Sequence, residues 1–364
     1  MVRYIAVDSG KFATKFAEYD IKKKCVHKYS IRTRVSDGDF RDDAIEKATV
    51  VAEIDGKTYK VGNGARGAGV NLDTDKKSED HKISILTAIA MLASSKEKDE
   101  IFVAVGLPAR EWASVSKRMD FKEYILPDGD ITITIKKNNK SEAVKKTFVI
   151  KGKYVFPESI GALFMDETIG MISSTSIIGV LDIGNLDLNA TLWQGKELLL
   201  DMSATEELGG SILIQSLAQE LSTITACDEL VVANILKQAP EDRCLPDTGT
   251  LKEEQLEESR KIIKRVLKTH ADRVKKCCRS RQWSLDVIPI IAIGGTSKDI
   301  ADELKESFTN IMVLEDSQYC NVLGYLRMLC ARIPEIGKII PIKEIKEEDK
   351  ESEEKDVNKA EDVA

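Results

Sequence analysis

The chain opens with a short apolar run, Ile5-Ala6-Val7, that ends in Asp8-Ser9-Gly10 and passes at once into alternating positions from Phe12 to Tyr19. An unbroken apolar run predicts a strand covered on both faces, and alternation predicts a neighbour covered on one. The same pattern returns at Ile177-Ile178-Gly179-Val180-Leu181-Asp182-Ile183-Gly184, followed by Leu186, Leu188, Ala190 and Leu192. Asp8 and Asp182 lie 174 positions apart, close to half the chain of 364 residues. A third strand is expected after each pair, over Cys25 to Val35 and over Glu197 to Met202. Two halves that open alike predict a duplicated α/β architecture.

Beyond each meander, helical and buried-strand patterns alternate, as parallel crossovers require. Ile83 to Ala93 and Arg110 to Tyr124 predict helices around a strand at Glu100 to Val105, and Ser211 to Leu221 predicts a helix in the second half. Val287 to Ile293 predicts a strand, although Pro289 withholds one hydrogen-bond donor. Val50 to Gly62 alternates around Asp55-Gly56 and predicts a small hairpin of its own, and Ile131 to Ile150 predicts another around Asn138-Asn139. Residues 226–284 form a polar, helix-rich excursion in which Leu256, Ile263, Leu267 and Val274 share one stripe. The expected organisation is a first lobe over 1–160 with an insertion at 34–80, and a second over 161–341 with an insertion at 226–284. A helix at 318–332 would pack back on the first lobe, and 342–364 would form a tail.

Charge sharpens this in one place. Net charge is −7, but Lys343 to Ala364 holds ten acidic and five basic residues, so the tail carries −5 and the remainder −2. The tail reads as a solvated, disordered extension, with tuning of protomer contacts as the alternative. A nearly neutral body argues against a protein built to grip nucleic-acid backbones. No apolar stretch approaches bilayer length and no signal-peptide pattern opens the chain, which predicts a cytoplasmic protein with no membrane partner. Seven cysteines without metal-ligand spacing predict reduced thiols and no structural metal.

Chemistry concentrates in three loops. In Asp8-Ser9-Gly10-Lys11, the missing Cβ at Gly10 lets backbone amides approach an anion, and Lys15 lies in reach of the same place. Asp8 would oppose phosphate unless a divalent cation stood between them, so it reads as a Mg²⁺ ligand, through water. An ordinary hairpin turn is the plain alternative. Asp182-Ile183-Gly184-Asn185 supplies a second copy. The third loop, Gly294-Gly295-Thr296, follows an apolar strand and leads into a Thr-x-x-Asp helix start, where glycines would let a base or ribose lie on the backbone. Glu207 and Gly210, before the helix of 211–221, are expected on the opposite wall of that pocket.

These motifs resemble the two phosphate loops and the adenosine loop of the actin, sugar-kinase and heat-shock-chaperone superfamily, in its order and spacing. Gly106-Leu107-Pro108 and Pro157-Glu158-Ser159 resemble its ParM branch, the bacterial plasmid-segregating filament proteins. The resemblance implies a duplicated actin-like (ribonuclease H-like) fold with two lobes around a nucleotide cleft. It implies ATP or GTP with Mg²⁺, hydrolysis coupled to head-to-tail filament formation, and a DNA-binding adaptor at a centromere-like plasmid site, so that contact with DNA is indirect. Residue by residue, it assigns Asp8 and Asp182 to the water shell of Mg²⁺ and to catalysis. Gly10, Lys15 and Gly184 go to phosphate, Gly294 and Gly295 to the nucleoside, and Glu158 to the attacking water; Ser9, Lys11, Asn185, Glu207, Gly210 and Thr296, in the same loops or lining the pocket, are the further expected cofactor-binding residues. Glu158 also fits a plain helix start, where a carboxylate favours the dipole. Val322-Leu323-Gly324 resembles the second interdomain connection. Asn185-Leu186 and Asn189 depart from the family pattern, which keeps open a nucleotide-binding scaffold without turnover; a small-molecule kinase of the superfamily is the other alternative.

Weaker features remain. His27, His81 and His270 are isolated and read as structural or exposed. Cys277-Cys278 lies among cations that would lower a thiol pKa, or simply ends a solvated basic helix. Lys136, Lys137, Lys140, Lys145 and Lys146 predict a charged sheet edge, with a partner-binding or DNA-contacting face as the alternative.

Overall fold

Two mixed sheets organise the chain in the computed structural model, which describes residues 1–40, 48–65, 76–247 and 249–341. The expected tail at 342–364 and parts of the expected insertion at 34–80 lie outside the described residues. The chain divides into two compact units: Met1–Leu107 with Ser114–Phe156 and the chain from Val322 onward, and Pro108–Ala113 with Pro157–Asn321.

In the first unit the strands are β1 (Val2–Ser9), β2 (Ala13–Asp20), β3 (Cys25–Arg32), β4 (Val35–Asp37), β5 (Thr49–Ile54), β6 (Lys57–Gly62), β7 (Asp99–Leu107), β8 (Asp130–Lys136) and β9 (Val144–Pro157). They form one sheet in the order β3-β2-β1-β7-β9-β8-β5-β6-β4. The apolar start of the chain is its central strand: β1 pairs antiparallel with β2 and parallel with β7, and Ile5, Ala6 and Val7 are fully buried. Helices α1 (Glu79–Leu92) and α3 (Val115–Ile125) belong to this unit, and the short α2 (Ala109–Ala113) between β7 and α3 is grouped with the second. Ser78 opens α1 by accepting the His81 amide, as an N-cap serine does.

The second unit repeats the plan. Strands β10 (Ile177–Ile183), β11 (Leu188–Gln194), β12 (Glu197–Leu198), β13 (Ala204–Glu206), β14 (Ile290–Ile293) and β15 (Ile311–Val313) form a sheet ordered β12-β11-β10-β14-β15, with β13 on β11. Here β10 is central, antiparallel to β11 and parallel to β14. Helices α4 (Gly210–Leu221), α5 (Glu229–Ile235), α6 (Glu253–Ser280), α7 (Gly295–Asp299) and α8 (Ala301–Ser307) follow, and α9 (Cys320–Arg332) belongs to the first unit from Val322 onward. The predicted stripe of α6 is buried at Leu256, Ile263, Leu267 and Val274 and joins the core with Leu213 and Leu217 of α4.

Several expectations are corrected. The strand expected over Cys25 to Val35 stops at Arg32, because Thr33 turns its side chain to the loop at Gly10. The helix expected over Arg110 to Tyr124 breaks at Ser114, whose extended backbone (φ −82°, ψ 117°) starts a new helix. The third strand of the second half ends after Leu198: Ser203 accepts the Leu192 amide and donates to the Leu199 carbonyl, and Trp283 donates to Met202. Val287 and Ile288 donate to Ser284 in a turn, so β14 begins only at Ile290, beyond the proline. The hairpin at 50–62 is no separate excursion, since β5 pairs with β8 within the main sheet. Nor is the lysine-rich hairpin an edge: β8 and β9 lie between β5 and β7, and Lys146 donates to the Ala93 carbonyl at 2.5 Å. No helix among the described residues is long and apolar enough to cross a membrane.

Candidate functional site

The two Asp-x-Gly turns have one geometry. In the first, Asp8 stands opposite Lys15 across β1 and β2, and the Gly10 amide closes the turn on the Ala13 carbonyl at 3.1 Å. In the second, Asp182 stands opposite Asn189 across β10 and β11, and the Gly184 amide closes on Asp187 at 2.9 Å. The sequence repeat is therefore a structural repeat, carboxylate for carboxylate and glycine for glycine.

Around the first turn the structure gathers Asp8, Ser9, Gly10 and Lys15. Asp8 is buried, and the Lys15 ammonium lies 4.0 Å from its carboxylate. Thr33 donates to the Gly10 carbonyl at 2.6 Å, so its hydroxyl must accept from Thr14 at 2.9 Å, and Thr14 in turn accepts from Ser9 at 3.0 Å. That order spends the Ser9 proton inside the turn and leaves its oxygen as an acceptor. Lys76 is buried and donates to the Ser9 carbonyl at 2.6 Å, which adds a cation to a loop already flanked by Lys11 and Lys15. Next to this cluster, burial, with Lys76 and Lys11 near, lowers His81 to about 3 and keeps it neutral. Thr14, Thr33 and Lys76 were missed by sequence reasoning.

Around the second turn the amides at the start of α4 are consumed by the loop itself. Gly210 donates to Gly184, Ser211 to Asn185 and Gly209 to Leu186, at 3.0, 2.7 and 3.0 Å. A Cβ on Gly209 would meet the Asn185 and Leu186 backbone at 2.4 to 2.6 Å. Gly210 is thus part of the loop's support, whereas it was expected on an opposite wall, and Glu207 is exposed. Thr296 is not the N-cap that the Thr-x-x-Asp pattern predicts. Gly294 is the cap, and the Thr296 hydroxyl donates to the Gly184 carbonyl at 2.8 Å. Gly294 has φ +92°, and a Cβ there would stand 2.4 Å from the Ile183 carbonyl and 2.8 Å from the Asp182 carboxylate. Gly295 faces open space.

Glu158 is buried just past β9, and Asn189 donates to its carboxylate at 3.4 Å. The residue after it, Ser159, has φ +73° and is fully buried, a strained backbone of the kind kept at functional sites. A short 3₁₀ helix, Ile160–Phe164, follows where a plain α-helix start was the alternative. Asn321 joins this segment to the second turn. It accepts the Ser159 amide at 3.1 Å and donates to Asp182 at 2.7 Å.

The cysteine pair is not activated: burial pushes Cys277 up to about 11 and Cys278 further still. Among the described residues no three His, Cys, Asp or Glu side chains converge as a metal cluster. Asp8 and Asp182 each offer hard carboxylate oxygens, the donor type that Mg²⁺ takes.

Residues 6–161 match the family model described as "Actin like proteins N terminal domain". No curated protein sequence matches the chain. The fold is similar to that of an Alp12 filament structure (20% identity, covering 91% of this chain and 99% of that one, TM-score 0.68). It is also similar to a 15-stranded ParM filament from Clostridium botulinum (18%, 90% and 98%, 0.67). The archaeal actin homologue Ta0583 in complex with ADP is a third likeness (16%, 89% and 97%, 0.67). Residues 6–161 thus match an actin-like N-terminal domain, and the chain has the actin-like fold over nine-tenths of its length.

Proposed function

We propose that the protein is a filament-forming, nucleotide-dependent bacterial actin homologue that binds and hydrolyses ATP or GTP with Mg²⁺ and segregates plasmid DNA through an adaptor. The observation that carries this reading is the pair of matching turns. Each offers a glycine amide region beside an aspartate at the same register, the parts that a polyphosphate and its cation need.

In this reading Ser9, Gly10, Lys11, Lys15, Gly184 and Asn185 would bind phosphate, and Asp8 and Asp182 would hold Mg²⁺ through water. Gly294, Gly295 and Thr296 carry the nucleoside, with Glu207 beside it and Gly210 behind the loop. The cation supplies neutralisation of charge on the phosphate oxygens. Glu158, buried and held by Asn189, orients or deprotonates the attacking water. Filament structures of an Alp12 and a Clostridium botulinum ParM, and the ADP complex of Ta0583, support self-association and nucleotide binding for this fold. A nucleotide that binds two conformations unequally can govern a head-to-tail contact, which polymerises when it does not close on itself.

Phosphate release from Mg-ATP and Mg-GTP with no acceptor present tests the enzymatic part. Steady release is expected; product that forms only when a sugar or other acceptor is added would replace this reading with a kinase.

A further inference from the structure

We propose that Asn321 is a positioning residue that fixes the second-turn aspartate and the Glu158 loop in one arrangement, an inference that rests on the nucleotide reading above. Asn321 is the second residue of α9 and is 7% exposed. Its orientation is dictated by its partners. The Ser159 amide can only donate, so the side-chain oxygen faces it; the Asp182 carboxylate only accepts, so the NH₂ group faces that. Asparagine is the side chain that offers both functions at this length. Aspartate keeps the acceptor alone, and leucine keeps neither.

The links close into a ring. Asp182 is held by Asn321, Asn321 by the Ser159 amide, and Ser159 adjoins Glu158. Glu158 receives Asn189, and Asn189 is the cross-strand partner of Asp182. The frame behind the ring is rigid. A Cβ on Gly161 would stand 2.6 Å from the Asn321 Cα and the Cys320 carbonyl, so the 3₁₀ helix rests directly on the backbone of α9. Ser159 holds its left-handed conformation with its amide committed to Asn321. Of the four places where the chain passes from one unit to the other, two lie beside this ring, Phe156–Pro157 and Asn321–Val322. The Asn321–Ser159 bond therefore ties those two passages together and connects both to Asp182.

The test uses the full chain with N321D, N321L and the double variant N321D/D182N. In nucleotide-free protein, N321D sets a second carboxylate against Asp182, and amide exchange at Ser159 to Leu163 should accelerate. N321D/D182N restores a donor opposite an acceptor and should return the protection. With a fluorescent ADP analogue, N321D should raise the Mg²⁺ concentration for half-maximal binding by about 10-fold or more, as outer-shell changes do. Nucleotide KM should move less than kcat. Exchange and Mg²⁺ dependence in N321D and N321L equal to wild type would overturn the proposal. A wild-type chain that binds no Mg-nucleotide, while the double variant still restores protection, would leave the link standing and overturn the nucleotide reading instead.

Discussion

Gly294→Ala perturbs the third loop at the position where geometry leaves least room. The backbone there has φ +92° and ψ 162°, a region that only glycine enters freely, so alanine brings about 1–3 kcal/mol of strain. The added methyl would also stand 2.4 Å from the Ile183 carbonyl and 2.7 Å from its carbon, which are backbone atoms at the end of central strand β10. Relief requires the loop or the strand to shift, and overpacking of this kind adds roughly 1–3 kcal/mol. The total is about 2–6 kcal/mol. For a domain of this size each kcal/mol lowers the melting midpoint by about 2–4 °C, so a fall of roughly 5–20 °C is expected. Gly295→Ala is the matched control. Its methyl meets no atom within 4 Å and sits at the first position of α7, where alanine is the better helix former. The assay is thermal unfolding of nucleotide-free protein by circular dichroism, followed by nucleotide titration. Gly295→Ala should melt at or slightly above wild type yet bind nucleotide more weakly, because its methyl occupies the open side of the loop. Equal melting of Gly294→Ala and wild type would refute the steric reasoning, and equal loss in both variants would refute the distinction between them.

Glu158→Gln keeps the shape and the Asn189 contact while removing the base, so single-turnover phosphate release should fall by about 10²–10⁴-fold with nucleotide affinity nearly unchanged. Unchanged turnover would favour a scaffold without hydrolysis. Two buried histidines give the protein an acid limit: burial lowers His81 to about 3 and, with Arg273 near, His270 to about 4. Their unfolded forms take up protons near pH 6.5, so the unfolded state binds more protons and stability falls as pH drops from about 6.5 towards those values. At pH 5 each histidine should remove about 2 kcal/mol, and His270→Gln should flatten the decline of the melting midpoint between pH 7 and 5. A midpoint as pH-sensitive in His270→Gln as in wild type would show that His270 is not part of that limit.

Much of this was legible because it is local. The two apolar runs ending in Asp-x-Gly announce central strands, since only a strand covered on both faces needs Ile5-Ala6-Val7 and Val180-Leu181 without interruption. The stripe of α6 follows from helical periodicity alone. What escaped is set by distant partners. Nothing near Asn321 in sequence shows that it reaches Asp182, 139 residues away, and Ser159, 162 residues away. Thr33 looked like a strand residue because its alternation is intact, yet its hydroxyl closes the chain of hydrogen bonds under Gly10. Thr296 matched a capping pattern, but Gly294 reaches a backbone geometry closed to threonine, and so the cap falls two residues earlier. The strand expected over Glu197 to Met202 failed because Ser203 and Trp283 take its polar groups, a competition that periodicity does not register.

The central claim is that nucleotide governs assembly, and right-angle light scattering of the purified full chain at micromolar concentration tests it most directly. Mg-ATP or Mg-GTP should produce a rise in scattering that Mg-ADP does not, and the rise should persist longer in Glu158→Gln, where hydrolysis is blocked. A chain that stays monomeric with every nucleotide, well above micromolar concentration, would contradict the account.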